Sequence, residues 1–297
     1  MRSAPVQCSA VPDSPANASR LTRAAACGDT FSLPLKSLRI DYATEEKSER
    51  GFVPPKAIAY AKRAPRRNKT LSTKPQILVF DVDGVLVDVR GTYWRSALET
   101  VRHLTGKRVT YAELHQWKSK PGFNDDWNMV SAWVSSLGHP ATYEEARAAF
   151  EKFYWGSDGK PGNVRNEKLI VTPRQIEKWA KRFELNLFTG RTRQEFSYTF
   201  EKWPATKHFR TIITMDDAKR KPHPEGLLKI LGERYPSTAL YLGDNIDDAL
   251  AARDANVPFM AIIAPGEHRY RQRAARFREL GALALLPRVT ELFQILK

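Results

Sequence analysis

Two aspartates directly follow a short apolar run, and this pattern constrains the fold more than any other feature of the chain. Residues 76–81 include the unbroken apolar run Ile77–Phe80, which is typical of a strand buried on both faces of a parallel sheet. Asp81 and Asp83 come next, at the carboxyl end of this predicted strand, where open α/β sheets place their ligands. Because burying two like charges is costly, we expect a metal or a substrate between them.

Alternating strand and helix patterns in the second half of the chain predict a parallel, doubly wound sheet. Thr172 and Pro173 are typical of a helix start, and the alternation continues from there. Further strands are expected at Leu185–Thr189, Thr211–Thr214, Ala239–Gly243 and Pro258–Ile263, and helices near residues 173–182, 193–202, 224–234, 246–254 and 268–280.

A helical and aromatic block of about residues 91–168 shows no strand signal and interrupts the sheet after its first strand. Within it, Thr110–Glu113 and Thr142–Glu145 have the Thr-x-x-Glu form of a capping box, which predicts a helix start at each position. We therefore predict a core domain of residues 74–90 and 170–297, an inserted helical domain of residues 91–169, and an N-terminal extension of residues 1–73.

The N-terminal extension is rich in Pro, Ser, Ala and Arg, and we predict that it is disordered. Residues 1–75 hold 14 Lys and Arg against 6 Asp and Glu, within a net charge of +15 for the whole chain. This excess is consistent with a solvated basic surface, with affinity for nucleic acid or anionic membranes, and with attraction of a phosphorylated substrate. The extension does not resemble a secretory signal, but an organelle transit peptide and a mis-assigned start codon both stay open.

Cys8 and Cys27 are the two cysteines of the chain, and both lie in the extension. The predicted core therefore has no disulfide framework and no cysteine-based metal site. This composition fits a reducing compartment, and we expect a cytoplasmic protein unless the extension directs it to an organelle. No apolar stretch of the sequence approaches the length of a membrane span, so no membrane partner is expected.

Residue types suited to phosphoryl chemistry recur at the ends of the predicted strands or shortly after them. A strand-end carboxylate can attack phosphorus, and a second one can protonate the leaving oxygen and then activate water. A Thr hydroxyl with neighbouring backbone N–H groups can hold phosphoryl oxygens, and a Lys can neutralise charge on the phosphoryl group. Further carboxylates complete an oxygen-only site that suits Mg²⁺. In chain order these positions are Asp81, Asp83, Thr189, Gly190, Arg191, Lys221, Asp244, Asp247 and Asp248.

The ordered set of motifs resembles the haloacid dehalogenase (HAD) superfamily of phosphohydrolases over about residues 75–297. Each short motif alone is weak, but all four in this order and at compatible spacings are highly specific. The DxDGxxxD motif is matched by Asp81, Asp83, Gly84 and Asp88, the strand-terminal Thr by Thr189, the Lys-Pro-x-Pro segment by Lys221, Pro222 and Pro224, and GDxxxD by Gly243, Asp244 and Asp248.

This resemblance implies a Rossmann-like α/β core with an inserted α-helical cap domain, as in phosphoglycolate phosphatase-like members of subfamily I. It implies that Asp81 is the nucleophile, Asp83 the general acid and base, and Lys221 a catalytic cation. Mg²⁺ would be bound by Asp81, by the backbone carbonyl of Asp83 and by Asp244, and Asp248 would support it or hold Lys221. Asp247 is an adjacent acid, and the motif spacing favours Asp248 over it.

Substrate contacts are expected from both predicted domains. The core would supply Thr189, Gly190 and Arg191, although a salt bridge is an equally good reading of Arg191. The insertion would supply Lys118, Lys120 and Asn124, with solvated lysines as the simpler alternative.

The predicted function is that of a Mg²⁺-dependent phosphatase that hydrolyses a small phosphorylated metabolite through an aspartyl-phosphate. The second Asp of the first motif favours phosphoryl transfer over dehalogenation, and phosphoglycolate phosphatase-like activity is the nearest named example. One alternative is a phosphomutase of the same fold, similar to β-phosphoglucomutase. Another is a nucleic-acid-binding protein that uses the basic extension and keeps a vestigial core.

Overall fold

The computed structural model describes residues 74–264, 267 and 269–296. The predicted disordered extension of residues 1–73 lies outside the described residues. The division of the remainder at residues 90 and 170 stays a prediction, while the order of secondary-structure elements is given directly by the structure.

A six-stranded parallel sheet forms the centre of the described part. Its spatial order differs from the chain order, because the first strand lies in the middle and later strands add on both sides. Across the sheet the strands are Ala284–Leu286 (β10), Phe259–Ile262 (β9), Ala239–Gly243 (β8), Ile77–Phe80 (β1), Glu184–Phe188 (β6) and Phe209–Ile213 (β7). The predicted α/β fold class and five of these strands are confirmed, and the edge strand β10 was not predicted.

Helices connect the strands as the alternating pattern predicted. The connecting helices are Pro173–Ala180 (α5), Arg193–Phe200 (α6), Glu225–Leu231 (α7), Ile246–Asp254 (α8) and Tyr270–Glu279 (α9), and the short Leu292–Ile295 (α10) follows the last strand. Among the described helices, none has the length and apolar character that crossing a bilayer requires.

The predicted helical insertion lies between β1 and β6 in the chain. Its helices are Tyr93–Thr105 (α1), Tyr111–Lys118 (α2), Asp126–Ser136 (α3) and Tyr143–Trp155 (α4). Both predicted capping boxes are present, since the hydroxyls of Thr110 and Thr142 each accept a hydrogen bond from the backbone N–H of the Glu three residues on. The sequence therefore fixes these helix starts locally.

Short antiparallel pairings in and around the insertion were not predicted. Val87–Asp88 (β2) pairs with Lys168–Leu169 (β5), so the chain leaves and re-enters the core at one place. Gly156–Ser157 (β3) pairs with Lys160–Pro161 (β4), within a stretch that the sequence pattern treated as a break between helices. Two-residue strands carry too few residues for a period-two pattern to be recognised.

Alternate residues of β1 enter two apolar cores on opposite faces of the sheet, as the pleat requires. Leu78 and Phe80 belong to one core, and Ile77 and Val79 belong to the other. On the first face, Phe80 stacks on Trp179 of α5 with ring centroids 5.3 Å apart. These contacts hold β1 in place in the sheet, and they therefore position Asp81 and Asp83, which follow the strand.

Replacing Trp179 by Ala should lower the free energy of unfolding by about 3–5 kcal/mol, because it removes a buried aromatic side chain and leaves a cavity beneath Phe80. Denaturant unfolding followed by circular dichroism measures the change. Tyr235→Ala is the matched control, since that side chain is 67% exposed, and its effect should stay within about 0.5 kcal/mol. Equal effects of the two substitutions would contradict the packing described for β1 and α5.

Candidate active site

The sheet order places three of the predicted site residues side by side. The last residue of β1, Phe80, is in register with Leu187 of β6 on one side and with Leu242 of β8 on the other. The residues after these neighbouring strands therefore emerge at the same edge of the sheet. Asp81 follows β1, Thr189 follows β6 and Asp244 follows β8.

Lys221 joins this group from the segment between β7 and α7. Its ammonium lies 2.9 Å from Asp81 Oδ1 and 2.7 Å from Asp248 Oδ1, and it is 3.1 Å from the hydroxyl oxygen of Tyr241. All four groups are buried. Burial alone would lower the pKa of Lys221, but the carboxylates of Asp248 and Asp81 outweigh it and raise that pKa above its usual value. Lys221 is therefore held as a cation beside the predicted nucleophile.

Asp81, Asp244 and Asp248 form an acid cluster, with one carboxylate oxygen of each within 4.8 Å of the others. Burial raises the pKa of Asp81 to about 7 against the opposing effect of Lys221, and the carboxylates of Asp248 and Asp83 add to the rise. Burial and the neighbouring carboxylates also raise the pKa of Asp244 well above its usual value. The single ammonium of Lys221 does not balance the negative charge of these three carboxylates.

A divalent cation fits the acid cluster, because its donors are carboxylate oxygens that lie within 4.8 Å of one another, with Asp81 and Asp248 buried and Asp244 half-buried. Gly84 supports the same interpretation. Its φ is +76°, and a Cβ built on it would lie 2.1 Å from Asp244 Oδ2, so only glycine leaves room for that carboxylate. Asp247 is outside this set of convergent oxygens, whereas Asp248, which the motif spacing favoured, is inside it.

Asp83 lies at the edge of the site and is bound by Arg191. The Asp83 Oδ1 atom is 2.7 Å from Arg191 Nη2, and the Asp83 side chain is 28% exposed. The other edge of the guanidinium binds Glu167, with Nη1 2.9 Å from Oε1, and the Arg191 side chain is fully buried. Arg191 therefore forms the salt bridges that the sequence left as an alternative, and its role toward substrate stays a prediction.

Thr189 and Gly190 are close to the insertion. The Thr189 hydroxyl accepts a hydrogen bond from the backbone N–H of Arg191 at 3.1 Å. A Cβ built on Gly190 would lie 2.5 Å from the side-chain nitrogen of Asn124, so the Asn124 amide rests on the Gly190 backbone. The structure thus brings Asn124, a predicted substrate contact of the insertion, to the edge of the sheet.

The two lysines predicted as substrate contacts differ in position. Lys118 lines the cavity over the acid cluster, where its ammonium meets Asp126 Oδ1 at 2.7 Å. Lys120 is exposed and outside the residues that line this cavity, and its ammonium lies 3.6 Å above the Trp117 ring. The structure therefore brings Lys118 to the site and leaves Lys120 at the surface.

The cavity itself is small, with a volume of about 60 Å³, and both the sheet edge and the insertion line it. Several lining or supporting residues were not recognised from the sequence. They are Tyr93, Trp94, His115, Asp125, Asp126, Glu195, Tyr241 and Arg273. Among them, only Tyr241 could have been noticed in the sequence, because it places a polar hydroxyl within a strand that is predicted to be buried.

Comparison with known proteins supports the same family. A family model described as haloacid dehalogenase-like hydrolase matches residues 175–262. The fold is similar to that of a predicted phosphoglycolate phosphatase from Haemophilus somnus 129PT, with a TM-score of 0.59 and 17% identity over 76% of this chain and 100% of that chain. The predicted resemblance to the HAD superfamily and the predicted fold are confirmed.

Curated relatives cover parts of the chain at low identity. An imidazoleglycerol-phosphate dehydratase from Phytophthora nicotianae is 27% identical over 66% of this chain and 45% of that protein. A phosphoglycolate phosphatase from Escherichia coli O157:H7 is 27% identical over 54% of this chain and 60% of that enzyme. The matches thus span about half the length of these relatives.

Replacing Gly84 by Ala should weaken binding of a divalent cation by about 10- to 100-fold, because the new methyl group displaces the Asp244 carboxylate. Calorimetric titration with Mg²⁺ and Mn²⁺ measures the affinity. Gly106→Ala is the matched control, since Gly106 also has a positive φ, +69°, but has nothing within 4 Å of a built Cβ. Equal affinities in the two variants would argue against a cation at the acid cluster.

Proposed function

We propose that this chain, which has the fold and motifs of the haloacid dehalogenase-like hydrolases, is a Mg²⁺-dependent phosphatase acting on a small phosphate monoester. The observation that carries the proposal is the buried contact of Asp81 with Lys221, beside two further carboxylates and the Thr189 loop. This arrangement supplies a nucleophile, a fixed cation and a set of oxygen ligands at one edge of the sheet.

In the first step, a carboxylate oxygen of Asp81 attacks phosphorus and forms an acyl-phosphate, while the bond from phosphorus to the alcohol oxygen breaks. Lys221 is already in contact with Asp81 Oδ1, so it stabilises negative charge without moving. The Thr189 hydroxyl and the N–H groups that follow it bind the phosphoryl oxygens.

Asp83 supplies a proton to the departing alcohol oxygen and then removes one from the water that cleaves the acyl-phosphate. Arg191 binds the Asp83 side chain, so Asp83 must leave this salt bridge and turn toward the ester to reach the alcohol oxygen. Glu167 remains bound to the guanidinium when Asp83 turns, and it keeps the buried Arg191 charge paired. Hydrolysis releases inorganic phosphate and restores the Asp81 carboxylate.

The residues that would hold Mg²⁺ are Asp81, Asp244 and the backbone carbonyl of Asp83. Asp248 contributes through Lys221. When bound, Mg²⁺ supplies positive charge that offsets the repulsion between the acid cluster and an anionic phosphate ester. Mg²⁺ is the preferred candidate because every donor in the set is an oxygen.

The size of the cavity and the presence of Lys118 favour a small ester with an anionic substituent. Phosphoglycolate is therefore the first candidate substrate, in line with the named activity of the E. coli O157:H7 relative. A larger ester would need the insertion to move away from the sheet edge.

A panel of phosphate monoesters should identify at least one substrate that releases inorganic phosphate with Mg²⁺ and without any bisphosphate cofactor. The panel contains phosphoglycolate, sugar phosphates, nucleotides and histidinol phosphate, and phosphate release is measured with and without excess EDTA. EDTA should abolish turnover and added Mg²⁺ should restore it, because the cluster needs a cation to accept an anion. Full activity in excess EDTA would contradict the metal proposal, and phosphate transfer within a sugar would favour a mutase.

Replacing Asp81 by Asn should reduce turnover by a factor on the order of 10⁴, because a neutral amide is a poor nucleophile. The chain should stay folded, because the Asn side chain has nearly the same size as that of Asp. Phosphate release measures turnover, and thermal unfolding checks the fold. Asp158→Asn is the control, since Asp158 lies in a turn at φ +53°, a conformation that Asn tolerates. Turnover retained by Asp81→Asn would remove Asp81 from the nucleophile role.

A further inference from the structure

Asp247 lies in the first turn of α8 beside the acid cluster, but its carboxylate makes a different contact. The residue is 0% exposed, and its oxygens accept hydrogen bonds from the backbone N–H of Gly122, at 2.9 and 3.1 Å, and of Asn124, at 3.0 Å. Both donors belong to residues 119–125, between α2 and α3, which we name the cap loop. A buried carboxylate of the core therefore binds the backbone of the insertion.

Two further contacts attach the cap loop to the core. The Asn124 amide rests on Gly190, after β6, and Asp125 forms an ion pair with Arg220, the residue before Lys221. The cap loop thus touches the segments that carry Thr189, Lys221 and the acids of α8. A shift of the cap loop would therefore break contacts with three segments that border the proposed phosphoryl site.

The local geometry favours a carboxylate at residue 247. Gly122 has a φ of +83°, which turns the chain so that the N–H groups of Gly122 and Asn124 point to one acceptor. A carboxylate offers two oxygens in one plane, and a negative charge in the first turn of α8 is also favoured by the helix dipole. Both oxygens of Asp247 accept from Gly122, and Oδ2 also accepts from Asn124.

We propose that Asp247 is a positioning residue that holds the cap loop against the core and so places Lys118 and Asn124 over the bound ester. The proposal rests on the proposed phosphatase function. Lys118 and Asn124 both line the cavity over the acid cluster, and Asn124 is bound to Asp247 through its own backbone. Without the Asp247 carboxylate, the two N–H groups turn to water and the cap loop separates from α8, while Asp81 and Lys221 keep their mutual contact.

The test compares Asp247→Ala and Asp247→Asn in the full chain by hydrogen exchange and by kinetics. Amide exchange in residues 119–125 should be about tenfold faster in Asp247→Ala, because the N–H groups of Gly122 and Asn124 lose the carboxylate that accepts their hydrogen bonds. With the best ester of the panel, KM should rise about tenfold and kcat should change less than about threefold. Asp247→Asn keeps one acceptor oxygen, so both readouts should be intermediate, and this variant carries the test if the Ala variant does not fold.

Asp254→Ala is the matched control, since Asp254 is on the same helix but exposed and paired with Arg253. Unchanged exchange of the cap loop in both Asp247 variants would overturn the proposal, and that readout needs no activity. Faster exchange with unchanged KM would reduce Asp247 to a structural contact. A loss of Mg²⁺ affinity without faster exchange would instead make it a metal ligand. If the wild-type chain hydrolysed no ester, the proposed function would fail, while exchange would still decide the contact.

Discussion

The Lys221 ammonium between Asp81 and Asp248 is the interaction on which the site depends. The three side chains are between 0% and 3% exposed, so none of them is solvated by water. Removing one partner from such a buried group leaves an uncompensated charge, which costs about 3–5 kcal/mol. Because Asp81 follows β1, Asp248 lies in α8 and Lys221 lies in the segment before α7, the contact joins parts of the chain that only the folded sheet brings together.

This contact also leaves negative charge at the site that a further cation would balance. The single positive charge of Lys221 balances one carboxylate. Asp81, Asp244 and Asp248 together supply three, each with one oxygen within 4.8 Å of the others. The burial that strengthens the Lys221 contact raises the pKa of Asp81 and of Asp244. A divalent cation that binds the folded chain and not the unfolded one would relieve this repulsion and stabilise the fold by mass action. Cation binding and folding would therefore be coupled through Asp81 and Asp244, two acids of the proposed site.

The sequence predicted the residues whose position follows from strand order, and it missed those that depend on packing. Asp81, Thr189 and Asp244 could be grouped because neighbouring parallel strands end at one edge, and Thr110 and Thr142 marked helix starts because capping is local. The partner of Asp247 could not be found in this way, since Gly122 is 125 residues distant in the chain. Lys118 and Lys120 are two residues apart and look alike in sequence, yet only the first one lines the cavity.

The cap loop contacts the core at three positions that border the proposed phosphoryl site. Its residues contact Gly190, Arg220 and Asp247, each of which is adjacent in sequence to a residue of the proposed phosphoryl site. A bound ester that displaced the cap loop would break these three contacts, while the buried contact of Lys221 with Asp81 would remain. An ester that left the cap loop in place would keep all three contacts. In the proposed function, recognition of the distal group would therefore depend on the backbone of the cap loop, which would favour small substrates that fit beneath it.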